Sequence, residues 1–146
     1  MKVKLMSAIN LEFVVAKEDF SKAGEASSSI KKTLKKLGID SKIIRKVAIV
    51  TYEAEMNIVI HSIGGKIMVD IDTEKIKIQA IDQGPGIEDT EKAMEVGFST
   101  ATQKVRELGF GAGMGLPNIK KNSDNFEISS EINKYTKIES LIYVNP

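Results

Sequence analysis

From Ile9 the chain alternates, with Ile9, Leu11, Phe13 and Val15 on one face and Asn10 and Glu12 on the other. A period of two predicts a half-buried strand. Phe20, Ala23, Ser27, Ile30, Leu34 and Leu37 then recur at helical spacing, and Gly38 supplies a stop, which predicts one helix across that span. Lys31, Lys32, Lys35 and Lys36 lie off the apolar stripe and are expected to form a solvated face. A second helix is expected to run from a cap at Asp40 or Ser41 to about Ser62, with Gly64-Gly65 ending it. Ile43, Ile44, Val47, Ala48, Ile49, Val50, Ala54, Met56, Ile58, Val59 and Ile60 make it apolar almost all round, so it should be largely buried.

Two alternating runs follow, Lys66 to Ile71 and Lys75 to Ile81, joined by Asp72-Thr73-Glu74 as a β-hairpin. Next come the turn Asp82-Gln83-Gly84-Pro85-Gly86 and a short helical stretch from about Asp89 to Val96. The segment Gly97 to Gly115 has little core periodicity and several glycines near its end, the profile of a loop. Leu116-Pro117 opens a helix, with proline in the first turn where its missing N–H does no harm. Strands at about Phe126 to Ser130 and Thr136 to Val144 close the chain. Strands and helices do not alternate strictly, which argues against a doubly wound parallel sheet. The order β-α-α-β-β-(α)-loop-α-β-β predicts an α/β (α+β) two-layer sandwich, with a mixed, mostly antiparallel sheet and its helices on one face. No linker, repeat or low-complexity stretch interrupts residues 1–146, so one domain is expected.

Composition narrows the chemistry. With 42% hydrophobic and 28% charged residues, the chain can bury a core and stay soluble. Lys plus Arg number 21 against 20 Asp plus Glu, a net +1 that leaves no electrostatic footprint for a nucleic-acid backbone. The absence of cysteine removes thiol catalysis, disulfides and the common structural zinc sites, and His61 alone cannot build a multi-histidine metal centre. Apolar runs are far too short for a bilayer span, and Met1 to Phe13 lacks the pattern of a signal peptide. A cytoplasmic protein without membrane segments is expected.

Three features place polar or glycine residues where a plain core would not. Glu53 and Asn57 sit inside the apolar helix four residues apart, sharing one face, with His61 four further on. Either they form a polar stripe at a solvent-facing edge, with Glu53 paired to a lysine, or they line a site. In a site the carboxylate can accept a proton from water or a hydroxyl, and the amide oxygen can ligate a hard cation such as Mg²⁺. His61 is then a supporting residue. Asp82-Gln83-Gly84-Pro85-Gly86 stands at the end of a strand, with glycines that allow close backbone approach and an aspartate able to accept a hydrogen bond from an exocyclic amine. Gly109-Phe110-Gly111-Ala112-Gly113-Met114-Gly115-Leu116 opens onto a helix, where backbone N–H groups make an anion site. It is not a P-loop, since no Gly-Lys-Ser/Thr follows, and it falls outside the dinucleotide pattern. Each feature alone is weak. In this order they build a nucleotide pocket from three separate segments.

These residues resemble the Bergerat-fold ATPases, the group of DNA gyrase, the ninety-kilodalton heat-shock protein, histidine kinases and the MutL proteins. Glu53-Ala54-Glu55-Met56-Asn57 resembles the family's N box, Asp82 to Gly86 its first glycine box and Gly111 to Gly115 its second. Within the group, Asn57 to His61, Asp82 to Ile87, Gly97-Phe98-Ser99-Thr100 and Gly111 to Pro117 are most similar to the small bacterial serine kinases and anti-sigma factors of sporulation and stress.

The resemblance implies binding of ATP or ADP with Mg²⁺. Asn57 would ligate the metal, Glu53 would be the base that orients or deprotonates the attacking hydroxyl, and Asp82 would bond the adenine amino group. Gly84 and Gly86 would lie against the base. Gly111, Gly113, Gly115 and Leu116 would meet the phosphates, and Thr136 would reach the adenine region through a water. About Gly97 to Gly111 would be the ATP lid, longer over Ala101 to Phe110 than in the stress-switch relatives. Lys104 and Arg106 within it are candidates for a γ-phosphate contact or plain solvated charges. Tyr135 replaces the glycine that usually precedes the threonine. The implied partner is a STAS-domain anti-sigma antagonist or a related regulatory protein, or a sigma factor, and a homodimer stays open. Two functions compete: a serine/threonine protein kinase, and a nucleotide-gated anti-sigma or partner-binding module with little or no phosphotransfer.

Overall fold

The computed structural model describes residues 9–17, 20–84, 94 and 115–144. Strand β1 spans Ile9–Val15, followed by a 3-10 turn at Phe20–Lys22, helix α1 at Glu25–Lys36 and helix α2 at Ser41–His61. Strands β2 (Gly65–Ile71) and β3 (Lys75–Gln83) form the expected hairpin, and helix α3 (Gly115–Lys121) precedes β4 (Asn125–Glu131) and β5 (Tyr135–Tyr143). The expected turn at Pro85-Gly86, the short helix near Asp89 to Val96 and most of the glycine-rich loop lie outside the described residues.

The first helix differs from expectation. The apolar spacing from Phe20 is continuous, yet α1 starts only at Glu25, because Gly24 adopts a left-handed φ of 94° and separates the 3-10 turn from the helix. No side chain caps α1 locally. Helix α2 starts as expected, with the Asp40 carboxylate accepting from the Lys42 backbone N–H at 2.7 Å. It ends where Ser62 turns extended and its hydroxyl bonds the Ile58 carbonyl at 2.8 Å.

The sheet order is β1-β2-β3-β5-β4. Every pairing among the described strands is antiparallel. One face carries Ile67, Val69, Ile71, Ile76, Ile78, Ala80, Ile138 and Ile142, all buried. Against it pack Val47, Val50, Ala54 and Ile58 of α2, Ile30 and Leu34 of α1, and Ile119 of α3. Each such valine, leucine or isoleucine side chain, fully buried, contributes about 1.5–3 kcal/mol, so α2 is held by packing rather than by helix propensity. The opposite face bears ion pairs such as Lys77–Glu139 at 3.8 Å and Lys66–Glu12 at 3.9 Å. The helices therefore form one layer on one face, and the two-layer sandwich stands. No helix of the described residues is long and apolar enough to cross a membrane.

Candidate functional site

The period of two that builds the core also builds the site. Rows of cross-strand neighbours on the helix-facing side run Ile71–Ile76–Ile142, then Val69–Ile78–Ser140, then Ile67–Ala80–Ile138. The next row continues Gly65–Asp82–Thr136–Ser130, across four strands, with no apolar side chain in it. At the β1 edge the row does carry an apolar side chain, the buried Val15 opposite Gly65, but across the other four strands the apolar core stops one row short and a small, polar floor begins. Strand β3 continues to Gln83, two residues beyond the expected Ile81, so Asp82 is held by the ladder rather than by a loose turn.

The floor is tightly made. A β-carbon on Gly65 would collide with the Ile81 carbonyl oxygen and stand 2.8 Å from Asp82 Cα, so only glycine fits beside Asp82. Gly65 was expected merely to help end a helix; it is instead the first residue of β2. Gly84 packs on Ser62 at the end of α2, where a β-carbon would lie 3.2 Å from Ser62 Cα, which ties the floor to the helix layer. Thr136 is buried, and its hydroxyl lies 3.0 Å from that of Ser130, which also donates to the Tyr135 carbonyl at 2.9 Å. Burial pushes the Asp82 carboxyl up to about 6, against the opposing pull of the Thr136 backbone N–H.

The second part of the site is on α2. Glu53 and Asn57 lie one turn apart, about 6 Å of helix rise, on the same face, and both are half-buried. Both are met by the start of α3. Asn118 Nδ2 donates to Glu53 Oε2 at 3.0 Å. A β-carbon on Gly115 would stand 3.1 Å from Asn57 Oδ1, so the glycine lets the helix start close over the amide. No lysine forms a salt bridge with Glu53, so the reading of a lysine-paired stripe falls away among the described residues. Leu116, expected at the phosphates, buries its side chain in the core beside Ile119, leaving its backbone as what it can offer a ligand. Gly86, Gly111, Gly113, Lys104 and Arg106 lie outside the described residues, as does the side chain of His61.

Sequence reasoning missed Asn118, Gly65 and Ser130. Asn118 stands in the turn of α3 between inward-facing Leu116 and Ile119, but nothing in its spacing pointed to Glu53. The register of β2, β3, β4 and β5 was the signal for the other two, and it becomes visible only when the strands are paired.

A family profile described as histidine kinase-, DNA gyrase B-, and HSP90-like ATPase matches residues 43–144, and the chain belongs to that family of nucleotide-binding domains. It is 33% identical over 111 residues to the serine/threonine-protein kinase RsbT of Bacillus subtilis, covering 73% of this chain and 77% of that protein. It is 36% identical over 97 residues to an anti-sigma F factor of a Thermoanaerobacter strain, covering 63% of this chain and 64% of the relative. A chain of the SiaB–SiaC complex from Pseudomonas aeruginosa superposes with a TM-score of 0.61 at 13% identity, covering 90% of this chain and 88% of the other, which shows a shared fold.

Proposed function

We propose that residues 1–146 act as one ATP-dependent serine/threonine protein kinase domain of the partner-switching type, phosphorylating a small STAS-like regulatory protein. The observation that carries the reading is that the start of α3 meets both functional positions of α2, Asn118 at Glu53 and Gly115 at Asn57. One end of one helix thereby sets the orientation of a base and of a hard oxygen donor. Similarity to a serine/threonine-protein kinase and to anti-sigma factors supports it.

Asp82 accepts the adenine amino group at the sheet end, with Thr136 and Ser130 beside it and Gly65 and Gly84 keeping the floor free of bulk. The backbone N–H groups at the start of α3, at Gly115 and Leu116, are the phosphate donors in this reading, with Gly111 and Gly113 assigned to the same role from the sequence motif alone. Asn57 fits Mg²⁺, since its Oδ1 is a hard donor kept accessible by the missing side chain at Gly115, and Mg²⁺ characteristically takes few protein ligands and fills its shell with phosphate and water oxygens. The bound metal would neutralise phosphate charge. Glu53 accepts the proton of the partner's serine or threonine hydroxyl as that oxygen bonds the γ-phosphorus and ADP leaves with the electrons of the broken β–γ phosphoanhydride bond, and the Asn118 amide holds the carboxylate in place.

The test is a lysate of the source cell labelled with γ-phosphate-tagged ATP, with added wild type or Glu53→Ala. A small protein labelled on serine or threonine only by wild type is the expected outcome. Equal labelling by both, or none, with partner binding intact, would instead favour a nucleotide latch that regulates its partner without phosphotransfer.

A further inference from the structure

The four lysines of α1, expected to form one solvated face, do not share a surroundings. Lys31 and Lys35 line a groove of about 790 Å³ between α1, α2 and α3, whereas Lys32 and Lys36 do not. Arg45 of α2 and Lys121 of α3 line the same groove, and so do Glu53 and the exposed Tyr52. All four cations are exposed, and none forms a salt bridge among the described residues. A chain of net charge +1 has thus gathered, along one groove, four positive groups with no salt-bridge partner among the described residues. Like charges brought this near destabilise the free protein slightly unless a ligand covers them.

We propose that this groove is the docking surface for an acidic segment of a protein partner, which it leads to Glu53. The inference deepens the kinase reading and rests on it for the hydroxyl that arrives at Glu53. Two observations choose the occupant. Charge complementarity calls for carboxylates, and the path from Ser41 to Glu53 along α2 measures about 18 Å, the reach of an extended segment of about five residues. The apolar surface of Ile49 and Tyr52 gives that segment a side chain to bury between its charges.

The test needs no phosphotransfer. A short fluorescent peptide with one serine among aspartates and glutamates is titrated against the full chain at low and moderate salt, beside its glutamine and lysine counterparts. Lys31→Glu/Lys35→Glu is compared with Lys32→Glu/Lys36→Glu, which changes the charge equally on the same helix. The expected result is salt-sensitive binding of the acidic peptide alone, weakened about ten-fold or more by the first pair and within about two-fold of wild type for the second. Both variants should keep wild-type affinity for Mg-ADP. Equal loss in the two variants would reduce the effect to net charge and overturn the proposal. So would a fall in Mg-ADP affinity confined to Lys31→Glu/Lys35→Glu, which would give the groove to the nucleotide, or tighter binding to phosphatidylserine vesicles than to the peptide. Peptide binding with no kinase activity would leave the groove standing and refute the phosphotransfer reading alone.

Discussion

At Asp82, function and stability pull in opposite directions. The carboxylate sits in the first row past the apolar core, and burial raises it to about 6 from an ordinary 3.8. The ionised form is the stronger acceptor for an adenine amine, so ADP affinity should fall by up to about ten-fold between pH 7 and pH 5 as the group protonates. Calorimetric titration at the two pH values checks this, with Asp82→Asn expected to bind weakly at both. Because the folded value lies above the unfolded one, the native state holds this proton more tightly. Its contribution to stability is therefore complete below about pH 3.8 and is lost as pH rises through about 6. Asp82→Asn should accordingly stabilise the ligand-free protein at pH 7 by about 1–2 kcal/mol, after allowance for partial exposure, while weakening nucleotide binding. Gly115→Ala offers a contrast: its new carbon presses on Asn57, so Mg-nucleotide affinity should drop about ten-fold with little change in the melting temperature of the free protein.

Among the elements, α1 takes the acceptor at its start from another helix. Gly24 provides no capping side chain, and the Ala26 backbone N–H instead donates to Glu55 Oε2 of α2 at 3.4 Å. Glu55 is buried and its Oε1 has no hydrogen-bond partner among the described residues. Burial raises its pKa, the N–H groups of Ala26, Ser27 and Gly24 pull it down, and the charge of Glu25 adds to the rise. The net direction is upward from 4.5, so this group's contribution is complete below that value and is lost as pH rises beyond it. Glu55→Gln keeps an acceptor for α1 and removes the buried charge. Urea unfolding should show it no less stable than wild type at pH 8 and less favoured at pH 5. Glu55→Ala, which leaves α1 uncapped, should lose about 2 kcal/mol at both. At the β2–β3 pair, Gly65→Ala would force the strands apart beside Asp82, and a loss of about 3 kcal/mol or more is expected in the same measurement.

For the whole molecule, nucleotide should act as a clamp between the layers, since Asp82 and Thr136 are on the sheet while Asn57 and Gly115 are on helices. Mg-ADP at about one hundred times its dissociation constant should add about 2.7 kcal/mol of stability, seen as a thermal shift. Glu53→Ala should keep that shift and lose phosphotransfer if the proposed role of Glu53 as base is right, because α2 sets Glu53 apart from the strand row that carries Asp82.

The alternation of β1, β2, β3 and β5, the cap at Asp40 and the apolar girth of α2 were legible along the chain, because periods of two and 3.6 record burial directly. Glu53, Asn57 and Asp82 stood out for the same reason, as polar residues inside apolar patterns. Where helix α1 begins was not legible: its apolar spacing runs on from Phe20, and a backbone turn at Gly24 overrides it. Nor did spacing reveal Asn118 at Glu53, Glu55 at the start of α1, or the split of the α1 lysines into a groove pair and a solvent pair. These contacts join residues far apart in the chain, and only the docking of α1 and α3 on α2 brings them within reach. The sequence by itself determined which faces are buried and which polar residues break the pattern. Tertiary structure decided which of them meet, because strand register and helix packing set distances that no local period encodes.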